Sequence, residues 1–172
     1  LGSLPERMWN GGRVHEVMPH VLHLMRGQVF DIDGLSIFTM GGASSHDREW
    51  RTEGESWWPE ELPSDAERAE ARSNLDARGW EVDYVVTHEA PLDLAGELSW
   101  ECNRPFDGGD AHQRFLQEVD ERLSYCTWFF GHYHDDEWRD DRHRLIYRDI
   151  VPIDVRRSGE DREPIRSDQH DG

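Results

Sequence analysis

Two runs of strand-forming residues that each end on histidine constrain this chain more than any other feature. The first, Cys126 to Phe130, is apolar and stops at Gly131, where it delivers His132 and His134 two positions apart, followed by Asp135. In an extended or turning segment residues i and i+2 can project to the same side, so both imidazoles could face one metal-sized pocket. Imidazole is the commonest metal-binding side chain, and a glycine just before the pair allows the backbone to turn sharply. The second run, Val82 to Thr87, is β-branched and aromatic; it ends at His88 and is closed by Pro91, which cannot continue a ladder. In open α/β sheets, ligands gather at the carboxyl ends of strands, on loops that the sheet holds rigid. An H-x-H alone reads more readily as two solvated loop histidines than as a ligand pair. The shared strand context is what makes His88, His132 and His134 a candidate metal-binding set.

Around these strands the sequence predicts one mixed α/β domain over residues 1–154. Leu1 to Gly12 is turn-rich and reads as loop, followed by strands Val14–Val17 and His20–Met25. Asp33-Gly34, between the strand patterns Gln28–Ile32 and Leu35–Met40, is a strong hairpin signal. His20 and His23 occupy strand-like positions and are assigned packing or surface roles. Gly41-Gly42-Ala43-Ser44-Ser45-His46-Asp47 reads either as a tight turn or as a close backbone approach to a ligand. The polar stretch Arg48–Pro63 is expected to be a loop that Trp57 and Trp58 plug onto the body, with base stacking as the alternative use of those indoles.

Ser64-Asp65-Ala66-Glu67 is a capping box, opening a helix that should run to about Arg78 and stop at Gly79. Pro91–Gly109 reads as a second loop. Asp110 then caps a helix whose stripe Phe115, Leu116, Val119 and Leu123 belongs to the core. Arg144–Ile150 is the expected final strand. Residues 155–172 are charged, lack apolar periodicity and are expected to be disordered.

Charge narrows the classes of function. Against 37 acidic residues stand 19 basic ones, all arginine, for a formal net charge of −18. Such a field repels nucleic acid and anionic membrane surfaces, so neither is expected as a partner. A small phosphate ester stays open, because a bound divalent cation inverts the local charge. Without lysine there is no Schiff base and no phosphate-loop lysine in this chain. Cys102 and Cys126 form no C-x-x-C and no disulfide framework, and the expectation is reduced thiols in a cytoplasmic protein. A divalent ion on the three histidines would bind phosphate oxygens and lower the pKa of a water molecule. Asp135 and Asp136 adjoin the pair, and solvation accounts for them. The near-match to H-x-H-x-D-H around His132 is rejected, since Glu137 stands where the last histidine should be.

Thr87-His88-Glu89-Ala90-Pro91 resembles the lone-histidine motif of the calcineurin-like metallophosphoesterases, and Gly131-His132-Tyr133-His134 resembles their terminal G-H-x-H. The segments His23–Phe30 and Phe38–Ala43 look like a bacterial branch of that family. The resemblance runs from about Leu1 to Ile153 and covers the C-terminal half of such a domain. It implies the C-terminal portion of a two-sheet β-sandwich flanked by helices, with a dinuclear site of Mn, Fe or Zn at the strand ends. By carry-over, His88 and His132 would bind the second metal and His134 the first. The implied reaction is hydrolysis of a phosphomonoester or phosphodiester by metal-activated water.

The family's opening D-x-H, its G-D-x-x-D/N and its G-N-H-D/E have no counterpart between Leu1 and Gly172. The expectation is therefore a truncated enzyme that binds metal weakly and turns over little by itself. An unpaired sheet edge and an uncovered apolar face would favour self-association. The alternatives are a catalytically inactive remnant or interaction module of the same fold, and a mononuclear three-histidine metal protein.

Overall fold

The computed structural model describes residues 4–44, 50–102 and 106–153. Its first strands, β1 (Glu6–Trp9) and β2 (Gly12–Met18), are joined by Asn10 and Gly11 at φ 45° and 92°. Two consecutive left-handed residues make the tight turn whose twist matches antiparallel strands. The expectation of a loop over Leu1–Gly12 is thus corrected: Asn10-Gly11 is a hairpin turn of the same kind as Asp33-Gly34. β3 (Val21–Leu24) completes a three-stranded antiparallel sheet in the order β1-β2-β3.

β4 (Gln28–Ile32) and β5 (Leu35–Met40) form the expected hairpin, with Asp33 at φ 51° and Gly34 at 84°. From there the chain builds a mixed sheet. β6 (Tyr84–Thr87) lies parallel to β5, and β7 (Thr127–Phe130) parallel to β6. β9 (His143–Leu145) follows parallel to β7, and the two-residue β8 (Glu137–Trp138) closes the edge antiparallel, giving the order β4-β5-β6-β7-β9-β8. The Asn10 carbonyl accepts the Asp31 N–H at 2.8 Å, so the tip of the first hairpin is tied to edge strand β4.

Three helices connect the parallel strands. α1 (Asp65–Ala77) and α3 (Ala111–Arg122) start at Ser64 and Asp110, each with the reciprocal capping box that satisfies helix-end N–H groups. α2 (Leu92–Glu101) occupies part of the stretch read as loop from Pro91 to Gly109. It has no side-chain cap and carries Gly96, which hide it from start signals, but its Ala95 and Leu98 are buried. The final strand is also shorter than expected. Beyond Leu145 the N–H groups of Tyr147, Arg148 and Asp149 are taken by the Asp136 carboxylate at 2.6, 3.0 and 3.1 Å rather than by a ladder.

All three helices pack on one face of the six-stranded sheet. Val29, Phe38, Met40, Val85, Trp128, Phe130 and Leu145 meet Ala71 and Leu75 of α1, Ala95 and Leu98 of α2, and Phe115, Leu116 and Val119 of α3. Trp128, fully buried, is the largest side chain there, and truncating such a residue costs about 3–5 kcal/mol. The opposite face holds a smaller cluster of Leu35, Ile37, Tyr84 and Phe129, to which no helical residue contributes among the described residues. The fold is mixed α/β, as the sequence leads one to expect, and has two sheets and three α-helices, α2 being the one the sequence does not signal. The tail assigned to 155–172 lies outside the described residues.

Candidate metal centre

Parallel pairing places three strand ends side by side. Met40 is level with Thr87, and Val86 with Phe129, so the chain leaves the sheet at Gly41, His88 and Gly131 along one edge. The Gly131 N–H donates to the His88 carbonyl at 3.1 Å, tying the two histidine loops together through the backbone. His132 Nδ1 then lies 3.2 Å from His88 Nε2, with the rings edge to face and their centroids 5.0 Å apart. Two nitrogens bonded to a single ion at about 2.0–2.1 Å stand about 2.9–3.4 Å apart in octahedral or tetrahedral geometry. The separation is that of an N–H···N hydrogen bond between the rings, and it also falls within the span of two nitrogens on one divalent ion.

His134 does not join them. Its ring stacks on Tyr147 at 4.7 Å, and among the described residues no group of three or more His, Cys, Asp or Glu side chains converges as a metal site. Its effect is electrostatic: the His88 pKa is lowered, by burial first and by His134 second. A neutral ring is the form that offers a lone pair to a cation.

The backbone carries the cost of this arrangement. His132 and His134 adopt φ of 72° and 60°, a left-handed conformation that disfavours side chains by about 1–2 kcal/mol per residue. The sharp turn expected at Gly131 is thus made by the histidines themselves. Conformations of this kind persist only where the surroundings over-determine them. Here Tyr133, between the two, is buried against Phe130 and donates its O–H to Glu89 Oε1 at 2.6 Å. Asp136, expected to be merely solvated, accepts the N–H groups of Tyr147, Arg148 and Asp149 and so ties the histidine loop to the segment bearing Tyr147.

Glu89 belongs to the Thr87-to-Pro91 motif, but the sequence gives it no role because its side-chain partner, Tyr133, lies 44 residues away. It is 1% exposed. Oε1 accepts from Tyr133 and from the Ala90 N–H at 2.8 Å, whereas Oε2 is buried without a hydrogen bond and lies 3.9 Å from His132 Nε2. Burial raises its pKa, against hydrogen bonding from Tyr133, Ala90 and, more weakly, the Gln113 side chain, and Asp110 adds repulsion in the same direction as burial. His112 at the start of α3 is also buried, and burial pushes its pKa down to about 4.

The remaining candidates divide. Gly42 has φ 111°, and a Cβ there would stand 2.5 Å from the Glu61 carbonyl, so its close approach is to the chain's own loop. Ser45, His46 and Asp47 lie outside the described residues. Trp58 is 47% exposed, more than a plug requires. His20 sits in the β2–β3 turn at φ 67°, and His23 pairs with His15, Nδ1 to Nδ1 at 3.1 Å, on the three-stranded sheet.

No protein-family model, no curated protein and no solved structure matches this chain.

Proposed function

We propose that this chain is the C-terminal part of a metal-dependent phosphoesterase of the calcineurin-like kind, acting on a small phosphate monoester or diester. One observation carries the reading. The two histidines that the sequence resemblance assigns to a single ion, His88 and His132, are the two whose nitrogens lie 3.2 Å apart, and the one assigned to the other ion, His134, stands aside on Tyr147.

His88 and His132 would hold a divalent ion, Mn, Fe or Zn, between strand ends that the sheet keeps rigid. When bound, such an ion polarises a phosphate oxygen and lowers the pKa of a water molecule. The protein's own residues present two imidazole nitrogens at one edge, with Glu89 and Tyr133 fixing the loops that carry them. With a net charge of −18, an anionic substrate has little reason to approach this chain unless a cation reverses the local field.

Inorganic phosphate tests this coupling. Calorimetry should detect phosphate binding in the presence of Mn²⁺, none without it, and none with Mn²⁺ in His88→Ala. Equal phosphate binding with and without the ion would contradict the proposal. A second reading, a non-catalytic module of the same fold, is favoured by the missing third donor among the described residues. It predicts that neither ion nor phosphate binds.

A further inference from the structure

We infer that Glu89 is a positioning residue: its buried carboxylate selects the His132 tautomer that carries hydrogen on Nε2, leaving the Nδ1 lone pair turned toward His88 for a cation. The assignment deepens the phosphoesterase reading and rests on it only for the use to which that lone pair is put.

Buried polar atoms almost always have a hydrogen-bond partner, and each exception asks for an explanation. Glu89 Oε2 is such an exception, within a carboxyl group that is otherwise firmly held. Tyr133 and the Ala90 N–H fix Oε1 at 2.6 and 2.8 Å. The residue's backbone is fixed as well: the Thr87 hydroxyl donates to the Glu89 carbonyl at 2.7 Å and itself accepts from the buried Trp128 Nε1 at 2.8 Å. A carboxyl held at its backbone and at one oxygen can aim its second oxygen in few directions, and 3.9 Å away in one of them is His132 Nε2.

That separation is within ion-pair reach and beyond a direct hydrogen bond. The opposite nitrogen of the same ring is the one 3.2 Å from His88. A carboxylate on one nitrogen and a cation on the other is the arrangement by which metal-binding histidines have tautomer and ring angle set, and loss of the carboxylate typically weakens metal affinity about 10–100-fold. Without an ion, the same tautomer lets His88 Nε2–H donate to His132 Nδ1.

The test separates the two claims. Nitrogen-15 NMR of the histidine rings in the metal-free protein should show His132 with hydrogen on Nε2, and in Glu89→Gln a mixture of tautomers. Zn²⁺ affinity should fall by about tenfold or more in that variant. Hydrogen on Nδ1 of His132 in the wild type would overturn the inference, as would an unchanged tautomer in Glu89→Gln. Should Glu89→Gln fail to fold, the wild-type spectrum still decides. If Zn²⁺ does not bind the wild type while the tautomer responds to Glu89, the positioning role stands and the phosphoesterase reading falls. If Zn²⁺ binds both proteins equally with the tautomer unmoved, the reverse holds.

Discussion

Replacing Tyr133 by phenylalanine removes one oxygen from the centre of this site and no apolar surface. The ring stays against Phe130, its centroid 6.3 Å away. What is lost is the O–H donated to Glu89 Oε1 at 2.6 Å, leaving a 1%-exposed carboxyl with the Ala90 N–H as its remaining full hydrogen bond. Depriving a buried polar group of a partner costs about 1–3 kcal/mol. With Oε2 short of a full hydrogen bond and the Gln113 side chain the one further weak donor, a value near the middle, about 2 kcal/mol, is expected. For a chain of this length 1 kcal/mol moves Tm by roughly 2–4 °C, so Tyr133→Phe should melt about 4–8 °C below the wild type. Differential scanning calorimetry at neutral pH measures this, with Tyr147→Phe, whose parent residue is 47% exposed, as a control expected within about 0.5 kcal/mol of wild type. A Tm for Tyr133→Phe within about 1 °C of wild type would refute the claim that this hydrogen bond holds the two histidine loops together.

His143 makes stability depend on pH. Burial alone would lower its pKa, but hydrogen bonds and charge from Asp120 and Asp140 outweigh burial and raise it. Its contribution is therefore complete below the unfolded value of about 6.5 and lost as pH rises through the higher folded value. His88 and His112, whose pKa values are lowered, act in the opposite sense, so the wild-type urea midpoint should decline relative to that of His143→Gln as pH rises across that window; parallel profiles would show that the imidazolium contributes nothing. Two glycines should respond differently to alanine. At Gly27, φ is 71° and a Cβ would stand 2.9 Å from that of Ala71, so Gly27→Ala should destabilise by more than about 1 kcal/mol. At Gly131 the nearest atoms, His88 Nδ1 and the Ile146 carbonyl, would be 3.5 Å away, and Gly131→Ala should stay within about 0.5 kcal/mol of wild type by denaturant titration.

What the sequence makes readable follows how local each cause is. The caps at Ser64 and Asp110 and the Asp33-Gly34 turn are decided within four residues, and they stand where the sequence puts them. Asn10-Gly11 is equally local, a two-residue turn signal of the same kind. α2 was harder, since Pro91 offers no side-chain cap and only the burial of Ala95 and Leu98 holds the helix in place. In the site, strand context brings His88 and His132 together because parallel pairing levels their strand ends. Left-handed turns at His132 and His134 cannot be read from a G-H-x-H spelling, and they send His134 to Tyr147. Glu89 depends on Tyr133, 44 residues away, and Asp136 on three backbone groups beyond β9. Such partners become visible only after folding.

The central claim, that His88 and His132 share one divalent ion, is tested most directly by titrating Zn²⁺ and Mn²⁺ into the wild type and into His88→Ala, His132→Ala and His134→Ala, with stoichiometry read by calorimetry. The account predicts one ion per wild-type chain, binding abolished by either of the first two substitutions, and an ion retained in His134→Ala. No ion bound by the wild type, or binding that survives loss of both His88 and His132, would contradict it.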